Sequence, residues 1–344
     1  MPEPVRRQVR VLCCCVIILL VVAYTTSNHW SVQQEWFTKD TRHHTPHHEP
    51  STSSSNHRLR ESERGKEDTT MDLLFFNRIP KTGSEMLVLL LQWLQGYNTF
   101  RHIRLKNSIK RHLTYTQQRK LAQEVREKLQ ESSVDVSRVS FDRHVHFTNF
   151  TSLGLNTMPV YLNLIRDPVE KMASRFYYAR VTPPPGAVTP SGYHPPPQPP
   201  YTTLEECVNN QGSQCTFITG QQYDLTIPYF CGHQQFCREL NSESALRQAQ
   251  HNVEAWYAVV GVLEDINSTL TVLHHKLPQF FHGVTDIYYN ELLAPHHNKN
   301  WNRPKTTPEV EEVLKKNLTL EYEFYNFIRQ RLNLQYQHIQ TTQH

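Results

Sequence analysis

Leu73-Leu-Phe-Phe-Asn77-Arg78-Ile79-Pro80-Lys81-Thr82-Gly83-Ser84 is the stretch on which the reading turns. Its first half, Leu73–Ile79, is a short apolar run closed by Pro and Gly, the pattern of a strand buried on both faces. The apolar positions that follow, over Glu85–Leu94, recur at helical spacing and predict a helix packed on the same sheet. A strand that passes through a tight turn into a helix offers the first N–H groups of that helix to an anion, and Lys81, Thr82 and Ser84 add charge and hydroxyl groups. It is not a Walker A loop, because it holds one Gly and its Lys comes before that Gly. An ordinary strand–helix turn with a basic edge is the bland alternative; the Lys-Thr-Gly-Ser cluster favours a nucleotide-phosphate site.

The same alternation continues outward. Pro159–Ile165 reads as a second strand followed by a helix over Val169–Ala179, and Trp256–Val262 as a third strand after a helix over Ser242–Ala255. Strands alternating with helices predict an α/β fold, a central parallel sheet with flanking helices. A long C-terminal helix is expected to start with Thr307 as its N-cap and Pro308 in its first turn. At the end of the second strand, Arg166-Asp167-Pro168 precedes Ser174 on the following helix. An Arg at a strand's carboxyl end and a Ser on the next helix can converge on one anion, at the edge where such sheets bind ligands.

The chain has 344 residues, a formal net charge of +4, 38% hydrophobic and 10% aromatic residues, and a mean hydropathy of −0.60. This excludes a multi-span membrane protein, a collagen and a fully disordered chain. The charge is uneven: residues 101–128 carry nine basic and two acidic side chains, a candidate track for a polyanion or else the solvated face of a helix over Tyr115–Leu129. Arg6, Arg7 and Arg10 precede an apolar segment over residues 11–26, which reads as a cleaved signal peptide or, better, a signal anchor in a short transmembrane helix. That gives a cytoplasmic tail (1–10), an anchor (11–26), a disordered lumenal stem (27–70) and a lumenal domain (71–344). The stem's His43-His44 and His47-His48 pairs read as solvated rather than metal-binding. Cys13, Cys14 and Cys15 lie in the apolar segment. Cys207/Cys215 and Cys231/Cys237 form two close pairs, read as disulfides in preference to a zinc site, so no metal is expected. Sequons at Asn149, Asn267 and Asn317 fit a lumenal glycoprotein.

Asn77-Arg78-Ile79-Pro80-Lys81, Arg143-His144-Val145-His146-Phe147, Ile165-Arg166-Asp167-Pro168-Val169-Glu170, Ile227-Pro-Tyr-Phe-Cys231-Gly232 and Glu321-Tyr-Glu-Phe-Tyr-Asn326 occur in this order. Over roughly residues 71–335 the chain resembles the uronyl and heparan sulfate 2-O-sulfotransferases of the Golgi, and its wording is nearer the uronyl branch. The resemblance implies the sulfotransferase fold with a P-loop-like phosphosulfate-binding loop. It also implies a 2-O-sulfotransferase that uses 3′-phosphoadenosine 5′-phosphosulfate as co-substrate. Its acceptor would be uronic acid in glycosaminoglycan (dermatan/chondroitin or heparan sulfate) or a related lumenal glycan. The polyanionic partner would thus be a glycan, with no nucleic acid involved, and the enzyme a single-pass type II Golgi membrane protein.

Residue by residue, the resemblance implies that Lys81 neutralises the leaving phosphate and that Arg78, Thr82, Gly83 and Ser84 line the phosphosulfate loop. Arg166 and Ser174 would hold the 3′-phosphate, and His144 would be the catalytic base. His146, two residues on, would share the face of His144 if both lay on a strand, although a structural role suits it better. The chain departs from the family pattern at Glu85, where a small hydroxyl residue is usual. It departs again in the Pro-rich loop 181–203, which has nine of the 21 prolines and no Lys or Arg. A third departure, the chain's end at His344, leaves homo-oligomerisation open. His296–Lys305 is a second basic-aromatic cluster, expected to border the acceptor. Competing readings are a non-catalytic lumenal glycan-binding protein that retains the fold, disfavoured by the presence of both Lys81 and His144, and a sugar kinase, disfavoured by the missing Walker A loop.

Overall fold

In the computed structural model Leu73–Asn77 forms β1, buried along its whole length. Residues 73–107, 110–131, 138–178, 201–217, 225–292 and 304–342 are described, within a unit spanning Glu61–His344. The tail, anchor and stem, nearly all of the Pro-rich loop and most of the His296–Lys305 cluster lie outside the described residues. Among the described residues no helix is long and apolar enough to cross a membrane.

From β1 the chain turns through Arg78–Gly83 into α1 (Ser84–Tyr97), whose Leu87, Leu90, Leu91 and Leu94 face the core at helical spacing. β2 (Arg101–Arg104) leads to α2 (Tyr115–Gln130), whose start is fixed by a reciprocal capping box between Thr114 and Gln117. Then come β3 (Val139–Arg143), β4 (Val160–Ile165), α3 (Pro168–Tyr178), α4 (Glu243–Trp256), β5 (Tyr257–Val262) and α5 (Ile266–Lys276). α6 (Pro308–Asn317) and α7 (Thr319–Thr342) close the domain.

The five strands form one parallel sheet in the order β2-β3-β1-β4-β5. The connections run to one side of β1, through β2 and β3, and then to the other, through β4. The topology therefore reverses at β1, and the crevice at its carboxyl end is where such a sheet accepts a ligand. The α/β expectation is met. Two strands, β2 and β3, have no counterpart in the sequence reading. β2 is an edge strand with one large apolar residue, Ile103, and β3 buries Ser140 and Asp142 instead of showing a clean apolar pattern.

The first strand was expected to run to Ile79. It stops at Asn77, because the next amide, Arg78 N–H, gives its hydrogen bond to Arg143 O at 2.8 Å and the chain then turns away. The C-terminal helix starts at Thr307 and Pro308 as expected but is two helices, since Leu318 ends α6 with its N–H bonded back to Leu314 O. Both expected disulfides are formed, Cys207–Cys215 with Cα atoms 6.1 Å apart and Cys231–Cys237 with 5.5 Å.

Candidate active site

Three strand ends meet at the carboxyl edge. β1 supplies the Arg78–Ser84 turn, β4 supplies Arg166, and β3 supplies His144 one residue beyond its last member. The turn needs positive φ at Lys81 (66°) and at Gly83 (78°), which caps α1. A Cβ on Gly83 would also stand 2.8 Å from Leu263 Cδ1, so only glycine sits there without strain. Thr82 and Ser84 are buried and both hydroxyls donate to Ile79 O, at 3.1 and 2.9 Å, knitting the loop shut.

The Lys81 ammonium lies 3.7 Å from the centre of the Tyr178 ring at the end of α3. Desolvation and the positive charges of Arg166 and Arg175 lower its pKa to about 8. Cations gathered until they depress one another mark a place made for an anion. Arg166 also pairs with Glu170 at 2.9 Å and approaches Lys81 O at 3.4 Å. Ser174 is buried on α3, in the turn before Tyr178. Arg175 and Tyr178 were not singled out in the sequence; the available signal was that Tyr178 follows Ser174 by four residues on one helix face.

His144 Nδ1 lies 3.1 Å from Arg78 O. A carbonyl only accepts, so Nδ1 carries the hydrogen and Nε2 is the lone-pair nitrogen. Burial, and next the nearby Arg78 charge, lower the His144 pKa to about 4, so the ring is neutral near pH 6–7. The shared strand face expected for His144 and His146 does not exist, because β3 ends at Arg143 and the following residues are irregular. His146 is fully buried instead, its Nδ1–H bonded to Gly232 O at 3.0 Å. It packs on Tyr229, His112 and His233, and burial lowers its pKa to about 3. The structural role suits it.

Arg78 is buried and directs its guanidinium to Asp142 (2.9 Å) and to Glu85. Glu85 also receives Arg104, at 2.9 Å. Desolvation favours the neutral Glu85 acid, but Arg78 and Arg104 outweigh it and hold the carboxyl below its usual range. The unusual Glu85 is thus the bridge between two arginines.

The expected basic track divides. Arg104 is paired with Glu85, Arg126 donates to Gly154 O at 2.6 Å, and Lys128 meets Glu131 at 2.7 Å, whereas Lys106, Arg119 and Lys120 are exposed. The Glu321–Asn326 motif braces the Arg166-Asp167 end of β4. Tyr322 OH donates to Asp167, Tyr325 OH to Glu264 at 3.0 Å, and Glu264 accepts Asp167 N–H at 3.0 Å. Asn149 and Asn267 are exposed and Asn317 is half-buried. Among the described residues no group of three or more His, Cys, Asp or Glu side chains is placed to hold a metal.

The sequence matches known proteins over most of its length. The family model described as "Sulfotransferase family" matches residues 68–328. The chain is 35% identical over 289 residues to the uronyl 2-sulfotransferase homolog pip of Drosophila melanogaster, covering 77% of this chain and 53% of that protein. It is 33% identical over 270 residues to the uronyl 2-sulfotransferase of Mus musculus, covering 75% of this chain and 62% of the relative. To the heparan sulfate 2-O-sulfotransferase 1 of Xenopus laevis it is 30% identical over 287 residues, covering 79% and 77%. The chain thus spans between half and two thirds of the length of the first two relatives. A parallel sheet carrying a cationic loop and a neutral histidine at one edge, in a chain that matches over most of its length, is a member of the sulfotransferase family.

Proposed function

We propose that this protein transfers a sulfuryl group from 3′-phosphoadenosine 5′-phosphosulfate to the 2-hydroxyl of uronic acid residues in a glycosaminoglycan (dermatan/chondroitin or heparan sulfate) or a related lumenal glycan. One observation carries the reading: the Arg78–Ser84 loop joins an anion-attracting cluster (Lys81, Arg166, Arg175) to a neutral imidazole whose ring the loop itself orients. Lys81 with the N-terminus of α1 would hold the phosphosulfate, with Arg166 and Ser174 on the 3′-phosphate. His144 Nε2 would take the proton from the acceptor hydroxyl as its oxygen bonds to sulfur. The bond from sulfur to the phosphate oxygen breaks, and Lys81 balances the charge that gathers there. Two short-loop disulfides and the exposed sequons at Asn149 and Asn267 support a lumenal domain, behind a signal anchor in a type II Golgi membrane protein.

The test is transfer from radiolabelled donor to a panel of defined glycosaminoglycans, followed by disaccharide analysis, with Lys81→Ala and His144→Ala beside the unaltered protein. Sulfate on the uronate 2-position, lost by at least about 100-fold in both variants, is the expected result. Binding of 3′,5′-bisphosphoadenosine without transfer to any acceptor would identify a non-catalytic glycan-binding protein instead.

A further inference from the structure

Three consecutive residues grip Arg78 by three different groups. The Asp142 carboxylate holds its guanidinium at 2.9 Å, the Arg143 carbonyl holds its N–H at 2.8 Å, and the His144 ring donates to its carbonyl at 3.1 Å. The two backbone contacts are available to almost any residue at position 78. The side-chain contact is particular. Asp142 is 1% exposed, and its second oxygen lies 3.3 Å from His102 Nε2 and 3.4 Å from Arg104 Nε. His102 is itself oriented by Ser140 at 2.8 Å. A carboxylate so enclosed brings little net stability over an apolar packing of the same volume, because its desolvation offsets the attraction. What it does provide is direction: a charge-assisted bond that locks the residue whose carbonyl in turn fixes the His144 ring.

We propose that Asp142 is a positioning residue for sulfuryl transfer, acting through Arg78 to hold His144 in the tautomer and orientation that leave Nε2 facing the acceptor hydroxyl. The inference rests on the reading of His144 as the base. The charge of Asp142 adds a second effect with the same sign: it opposes Arg78 and Arg111 at the His144 ring, so its removal makes that ring a weaker base.

The test compares Asp142→Asn with the unaltered protein. Expected are a kcat lower by about 10- to 100-fold, as for misplacement of a reacting group by an ångström or less, an acceptor KM within threefold, and an unchanged affinity for 3′,5′-bisphosphoadenosine. In 15N-histidine-labelled protein, the His144 signal changes from a single Nδ1–H tautomer to a mixture. A kcat within twofold of the unaltered protein, or a His144 tautomer that stays single, overturns the proposal. If Asp142→Asn no longer binds bisphosphoadenosine, His102→Gln replaces it, since this loosens Asp142 while keeping its charge. There a threefold to tenfold loss of kcat with donor-product affinity intact supports the proposal, and an unchanged kcat overturns it. Absence of transfer by the unaltered protein would refute the enzyme reading itself, whereas the tautomer measurement reports on Asp142 without needing turnover.

Discussion

His144 and His146 stand two residues apart and differ in everything except composition. One reaches the carboxyl edge on a carbonyl of the neighbouring strand end; the other is sealed beneath it against Gly232. The sequence shows the pair but not the difference, because β3 stops between Arg143 and His144 and the strand period no longer applies. With a pKa near 4, His144 is in its base form throughout the mildly acidic range. A kcat profile at saturating donor should therefore show no titration near pH 6.5, and one centred there would assign the base elsewhere. Lys81 titrates at the other end. Its ammonium, with a pKa of about 8, attracts an anion only while protonated. Affinity for 3′,5′-bisphosphoadenosine, measured by calorimetry, should be flat between about pH 7 and 8, where its phosphates are fully ionised, and weaken above pH 8 by up to about tenfold per unit. Lys81→Gln should lower the affinity and remove that dependence.

Among the elements, α7 does more for the site than its distance in sequence suggests. Glu321, buried near its start, accepts the N–H groups of Thr226 and Ile227, at 2.6 and 2.9 Å, and so caps the Ile227–Cys231 turn. Desolvation raises its pKa, partly offset by buried Lys171 on α3. Glu321→Gln would replace a carboxylate that accepts both N–H groups by an amide with one acceptor oxygen and should destabilise the fold by about 2 kcal/mol, read from the urea midpoint; a loss under about 1 kcal/mol would show that the capping is dispensable. Tyr322 and Tyr325 of the same helix brace Asp167 and Glu264. The motif around Glu321 was visible in the sequence as a family signature, while its mechanical use was not, since nothing local links residue 321 to residue 226. The same holds for Asp142, whose partners lie in the turn after β1 and on β2. By contrast β1, β4 and β5 were legible within a residue or two and α1 within three, because a strand buried on both faces and a helix with one apolar stripe declare themselves locally.

At the scale of the whole molecule, a cluster of buried rings ties the sheet edge to the disulfide loop. His233 Nδ1 accepts Leu113 N–H at 3.1 Å, its Nε2 donates to Thr148 Oγ1 at 3.1 Å, and His112 Nε2 donates to His233 O at 2.6 Å. His146 and His233 are both held below their ordinary pKa by burial first, and by the cationic and imidazole groups facing them, Arg111, Arg238 and His112 among these. The folded state therefore resists protons that the unfolded chain accepts below about pH 6.5. Stability is full above that value and should fall as pH drops, by about 1 kcal/mol per unit for each ring. Thermal unfolding from pH 7.5 to 5 should show a clear fall in Tm, reduced in His233→Asn; an equal fall in that variant would place the acid sensitivity elsewhere. The C-terminal bracing has a further consequence, in time. All five strands leave the ribosome before residues 319–342 are made, so a nascent chain can assemble the sheet and the Arg78–Ser84 turn while Asp167 and Glu264 lack their tyrosines and the Ile227–Cys231 turn lacks its cap. Completion of the site is thereby postponed until α7 has been made, and chains interrupted within α7 would carry a sheet without its tyrosine braces and its cap.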